Sequence, residues 1–140
     1  MRSLLVGLLP ALALAAAPPA DNPNLLGTRW SLLAIDGAPV TAVQAADPHL
    51  QLHPGTQKLS AFGGCNRLQG RYTQHGIQLA LTALASTRMA CAPAVMQQEQ
   101  RVIELLGTVD GYRIEGQVLS LLQGDAVRLS FKAAAPKSPK

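Results

Sequence analysis

GYRIEGQVLSLLQGDAVRLSFK, residues 111–132, is the stretch that decides the fold class. Apolar side chains recur at every second position, at Tyr112 and Ile114, at Leu119 and Leu121, and at Leu129 and Phe131. Glu115-Gly116 and Gly124-Asp125 divide the runs, and glycine at such points supplies the backbone angles a tight hairpin needs. A period of two places one side chain in a core and the next in water, so the stretch predicts three antiparallel strands joined as consecutive hairpins.

The same pattern continues upstream. Arg29–Ile35, His49–His53, Lys58–Phe62, Leu68–Thr73 and Ile77–Ala83 are candidate strands, followed by Gly111–Glu115, Val118–Leu122 and Val127–Lys132. Asp36-Gly37, Pro54-Gly55 and His75-Gly76 are the intervening turns. Pro93–Leu106 departs from the pattern: Val95, Met96, Val102, Ile103 and Leu106 recur at helical spacing, with Pro93 suited to a first turn and Gly107 to a stop. One helix has to bury its apolar stripe somewhere, and a face of the sheet is the available partner. The expected fold is therefore α+β: a small antiparallel β-sheet domain of about seven or eight strands with one helix packed on the sheet.

A chain of 140 residues holds one such domain with a real core. Its net charge of +4 and pI near 9.5 raise the question of nucleic acid or acidic membranes. Setting aside Arg2, Lys132, Lys137 and Lys140 leaves eight of the twelve Lys/Arg for residues 21–131, against all eight Asp/Glu. The arginines of that segment are spread along it, so no nucleic-acid partner is expected.

Residues 1–17 begin Met1-Arg2, continue as an apolar run from Leu4, and end Ala15-Ala16-Ala17, the layout of a cleaved secretory signal peptide. The run falls short of the roughly 18–20 residues a membrane-spanning helix needs, so no stable membrane anchor is expected. The first cysteine is Cys65, which argues against lipid attachment directly after a signal. Residues 18–23 read as a proline-rich spacer, 24–132 as the domain, and 133–140 as a disordered tail. The expected location is periplasmic or secreted. In an oxidising compartment Cys65 and Cys91 favour a structural disulfide, contributing on the order of 3 kcal/mol, over an unpaired buried pair or a redox pair lacking a C-x-x-C arrangement.

Several features now stand in order. Trp30 opens a strand after Leu26-Gly27-Thr28. Gly63-Gly64-Cys65-Asn66-Arg67 is followed by Gly70 and Tyr72, and Thr87-Arg88-Met89-Ala90-Cys91 precedes a helix containing Glu99. With the terminal hairpin, residues 24–132 resemble the META domain family, to which HslJ-type heat-shock and envelope proteins belong. The resemblance implies a small antiparallel domain with a packed helix, bacterial envelope location, links to heat shock and stress response, and no known catalytic residues.

The glycine-rich segment is expected either as a bulged turn pinned by a disulfide or as a recognition tip exposing Asn66 and Arg67. Glu99 lies on the apolar stripe of the helix, where a buried charge needs a partner, so an ion pair with Arg67 or Arg88 is expected. Thr87 is expected to hydrogen-bond nearby backbone. His49 and His53 share one strand face with Gln51, opposite Leu50 and Leu52, and with only His75 besides they suit a solvated face better than a metal site. No serine sits in a G-x-S-x-G elbow and no glycine-rich phosphate loop precedes the helix, so no catalytic residue, cofactor or metal is expected. The reading is a non-enzymatic, monomeric envelope module that binds an unknown envelope protein or small ligand. A small-molecule or lipid carrier with an apolar cavity between sheet and helix is the alternative.

Overall fold

The computed structural model describes residues 23–40 and 47–134, together with Gly7. The expected signal segment 1–17 apart from Gly7, nearly all of the expected 18–23 spacer and the expected tail beyond Ala134 lie outside the described residues.

Among the described residues nine strands and one helix follow one another: β1 Arg29–Ile35, β2 Ala38–Pro39, β3 His49–His53, β4 Lys58–Phe62, β5 Arg67–His75, β6 Gln78–Ser86, α1 Pro93–Leu106, β7 Gly111–Glu115, β8 Val118–Gln123 and β9 Ala126–Ala133. The α+β class stands, with nine strands where seven or eight were expected. The addition is β2, two residues that Asp36 and Gly37, both at positive φ, fold back onto the end of β1.

All pairings between the strands are antiparallel, and β1 pairs with β9 as well as with β2 and β3, so the sheet closes on itself. Closure covers most of the edges that would otherwise invite pairing with other chains, the seam between β6 and β7 excepted. Three hairpins, β5–β6, β7–β8 and β8–β9, turn on Gly76, Gly116 and Gly124, each at positive φ at the first loop position. The narrow place in the ring is between β6 and β7, which meet at one residue pair, Gln78 and Gly111. The connection containing α1 joins those two strands.

The interior is aliphatic. Trp30, Leu50, Leu52, Leu59, Leu68, Leu79, Leu119, Leu121, Leu129 and Phe131 point inward and are essentially sealed from water. Each contributes about 1.5–3 kcal/mol of burial. Trp30 Nε1 donates to the Leu25 carbonyl at 3.1 Å, so the one indole N–H is satisfied.

α1 starts at Pro93 as expected, but its buried face is Val95, Glu99, Val102, Leu105 and Leu106. The stripe is turned relative to the expectation, for Met96 is largely exposed and Ile103 half-buried. Val102, Leu105 and Leu106 join the core of the closed sheet. The helix ends at Leu106 with Gly107 still right-handed, and the Thr108 hydroxyl donates to the Leu105 carbonyl at 2.7 Å. At the C-terminus β9 runs to Ala133, and Ala134 N donates to the Arg29 carbonyl, so the order of the domain extends two residues into the expected tail.

Candidate functional site

The two unusual segments of the sequence meet at α1. Cys65 and Cys91 form a disulfide with their Cα atoms 6.0 Å apart, joining the glycine-rich loop before β5 to the strand-to-helix connection after β6. Beside it, Glu99 is 5% exposed and reaches from α1 into the loop. Its Oε2 accepts from the main-chain N–H of Cys65 at 2.8 Å and from that of Asn66. Its Oε1 accepts from Asn66 Nδ2 at 2.7 Å.

The expected ion pair does not form. Neither Arg67 nor Arg88 pairs with Glu99, and both are exposed. The physical reason is that three N–H donors, two of them main-chain, already surround the carboxylate, and they compensate a buried negative charge without burying a positive one.

Asn66 is buried as well, which overturns its reading as an exposed tip. Its Oδ1 accepts from Met89 N at 2.6 Å and from Thr87 Oγ1 at 3.0 Å, while Nδ2 faces Glu99. Thr87 Oγ1 also accepts from Arg67 N at 3.2 Å, its expected backbone role. One amide side chain thus ties β5, the 87–91 segment and α1 together. Gly63 explains the glycine before them: a Cβ there would lie 2.8 Å from Glu99 Cγ and 3.1 Å from its Cα. Only glycine lets the helix approach this closely. Gln98 Nε2 adds a bond to the Gly63 carbonyl at 3.2 Å.

On the outer side of this network lies a depression of about 290 Å³, lined by Asn66, Arg88, Met89, Met96, Glu99 and Ile103 among others. Met89 is 61% exposed at its rim. Arg67 stands on the neighbouring outer face of β5 and does not line it. His49 and His53 lie on the outer face of β3 with Gln51, and His75 ends β5. Among the described residues no three His, Cys, Asp or Glu side chains are gathered as a metal site would gather them.

The family profile of the META domain matches residues 23–136. The chain belongs to the META domain family. Among solved structures, the NMR structure of a protein from Burkholderia xenovorans is 28% identical, with a TM-score of 0.64, covering 94% of this chain and all of that one. A second NMR structure is 25% identical, with a TM-score of 0.60, over 76% of this chain and 88% of its own. No curated protein matches the chain. In this META domain the Gly-Gly-Cys-Asn-Arg and Thr-Arg-Met-Ala-Cys segments meet at one joint, which accounts for Gly63, Cys65, Asn66, Thr87 and Cys91, while Arg67, Arg88 and Met89 are exposed.

Proposed function

We propose that this META-domain protein is an exported, non-enzymatic binding or stability module of the bacterial envelope, made robust by its disulfide and serving under stress. The observation that carries the reading is the use made of the most chemically capable side chains. Glu99 and Asn66, the buried polar side chains among the described residues, line the depression, but their hydrogen-bonding atoms are taken up by Cys65, Thr87, Met89 and each other. A carboxylate held by three internal donors holds segments together and is poorly placed to take a proton from a substrate.

Export is supported by the leader-like residues 1–17 and by a disulfide of the kind oxidising compartments maintain. Among the described residues no helix is long and apolar enough to cross a membrane. The alternative, a carrier, asks for an apolar chamber between sheet and α1, whereas the inward leucines and Val102, Leu105 and Leu106 pack as one cluster. A native mass spectrum of the protein purified from the envelope separates the two readings. The module reading expects the mass of the chain alone. Additional mass that organic extraction removes would replace it with the carrier.

A further inference from the structure

Between Asp47 and Glu99 the sequence contains no acidic residue, yet it contains Lys58, Arg67, Arg71 and Arg88. Averaged along the chain this run disappears into a balanced total. Folding turns Lys58, Arg67 and Arg71 into one surface, because the run supplies β3, β4, β5 and β6 and alternation sends every second side chain outward, while Arg88 lies beyond β6 at the depression beside Glu99.

The strand registers show how these side chains assemble. His53, Lys58, Arg71 and Thr82 stand in one row across the four strands. Gln51, Ser60, Gln69 and Ala85 form the next, and His49, Phe62 and Arg67 the one after. Lys58 and Arg71 are therefore direct cross-strand neighbours, and like charges in that position destabilise a sheet. Nothing nearby relieves them: the ion pairs of the described residues join Asp36 to Arg101 and Arg128, Arg101 to Glu104, and Arg113 to Glu115. Folding stability gives no reason for this arrangement, whereas an external anion does.

Two shallow depressions, of about 480 and 330 Å³, share Ser60 and Gln69, so neutral donors occupy the centre of the cationic rows. His53 Nε2 lies 2.8 Å from Ser60 Oγ, and a ring donating there leaves the hydroxyl proton for an outside oxygen.

We propose that the outward face of β3–β6 is a docking surface for the phosphate headgroups of an anionic phospholipid membrane, bound peripherally and reversibly. Charge complementarity selects the sign of the partner, and the shape selects its kind. The cations stand on β4 and β5, which are paired on both sides and offer no free main-chain groups to an extended acidic peptide, whereas β6, which meets β7 at one residue pair, carries none of them. The cations stand in two rows about 14 Å apart, with the neutral Ser60 and Gln69 row between them, on strands about 4.8 Å apart, which suits mobile phosphates on a broad surface. The proposal rests on the envelope reading above for access to a membrane, but vesicle binding reports on this face whether or not the protein is exported.

The test is co-sedimentation of the purified chain with phosphatidylglycerol vesicles and with phosphatidylcholine vesicles, at about 0.1 M and about 0.5 M salt. The expected result is binding to phosphatidylglycerol alone, lost at the higher salt. Removing one cation should weaken it about fivefold, so the K58Q/R71Q double variant should bind roughly 25-fold more weakly. Arg113→Gln makes the same change in charge as Arg71→Gln from outside this face, and should stay within about twofold of wild type. Both positions are on the surface, and unchanged circular dichroism of each variant confirms the fold. Equal binding to both lipids, or equal losses for Arg71→Gln and Arg113→Gln, would overturn the proposal. So would absence of vesicle binding with retention of soluble polyglutamate, which would assign the face to an acidic polypeptide.

Discussion

Replacing Glu99 by Gln keeps the outline of the side chain and removes one acceptor. In the wild type the carboxylate takes three donors, the N–H groups of Cys65 and Asn66 on one oxygen and Asn66 Nδ2 on the other. A glutamine can direct its single oxygen to the two main-chain groups, but its NH₂ then faces Asn66 Nδ2, donor against donor. Asn66 cannot turn over to help, because its Oδ1 already accepts from Thr87 and Met89. At least one buried donor is left unsatisfied, at about 1–3 kcal/mol, and the remaining bonds lose their charge assistance. The loss should be about 3 kcal/mol, a large part of the roughly 5–15 kcal/mol that holds a domain folded. Equilibrium urea unfolding, with the disulfide intact in both proteins, should show the midpoint falling by about 2 M for a slope of roughly 1.5 kcal/mol/M. A midpoint shift below about 0.3 M would mean that the carboxylate is not what joins α1 to the glycine-rich loop.

The other expectations concern the same joint and one histidine. Gly63→Ala places a Cβ against the main chain and stem of Glu99, and should cost about 1–3 kcal/mol through overpacking; wild-type stability in the same unfolding assay would contradict that close approach. Converting Cys65 and Cys91 together to serine opens a link across a separation of 26 residues and should cost about 3.5 kcal/mol, read as a lower melting temperature, with an unchanged value counting against a stabilising role. Burial lowers the pKa of His49 below its ordinary 6.5, a hydrogen bond to the Asp47 carbonyl opposes this, and the charge of Arg29 reinforces it. The unfolded state therefore takes up the proton first, so this contribution to stability is complete above pH 6.5 and is lost as pH falls below it. Between about pH 7.5 and about pH 5.5 the wild type should lose more stability than His49→Gln, and parallel losses would refute the assignment.

The strands were legible because their alternation is a local property. The eight longer ones form where apolar side chains recur at every second position, and the turns fall at Gly37, Gly55, Gly76, Gly116 and Gly124. Ala38–Pro39 carries no alternation to read, and pairing of β1 with β9 joins opposite ends of the domain, so neither the ninth strand nor closure was visible. At the joint, Glu99 could be placed on the buried stripe, but its partners are mainly main-chain N–H groups, which every residue except proline possesses. The glycine at position 63 was the available signal of a close approach. For the cationic face, the signal was a run without Asp or Glu, hidden by summing charge over a longer segment and made visible by the strand register.

The most direct test of the envelope reading is a mass spectrum of thiol-labelled protein from the periplasmic fraction, recorded with and without reductant. The expected result is a chain shortened within the Ala-rich stretch that ends at Ala17, unlabelled before reduction, and two hydrogens lighter than its reduced form. A full-length chain with both Cys65 and Cys91 open to the label would contradict export and the disulfide together.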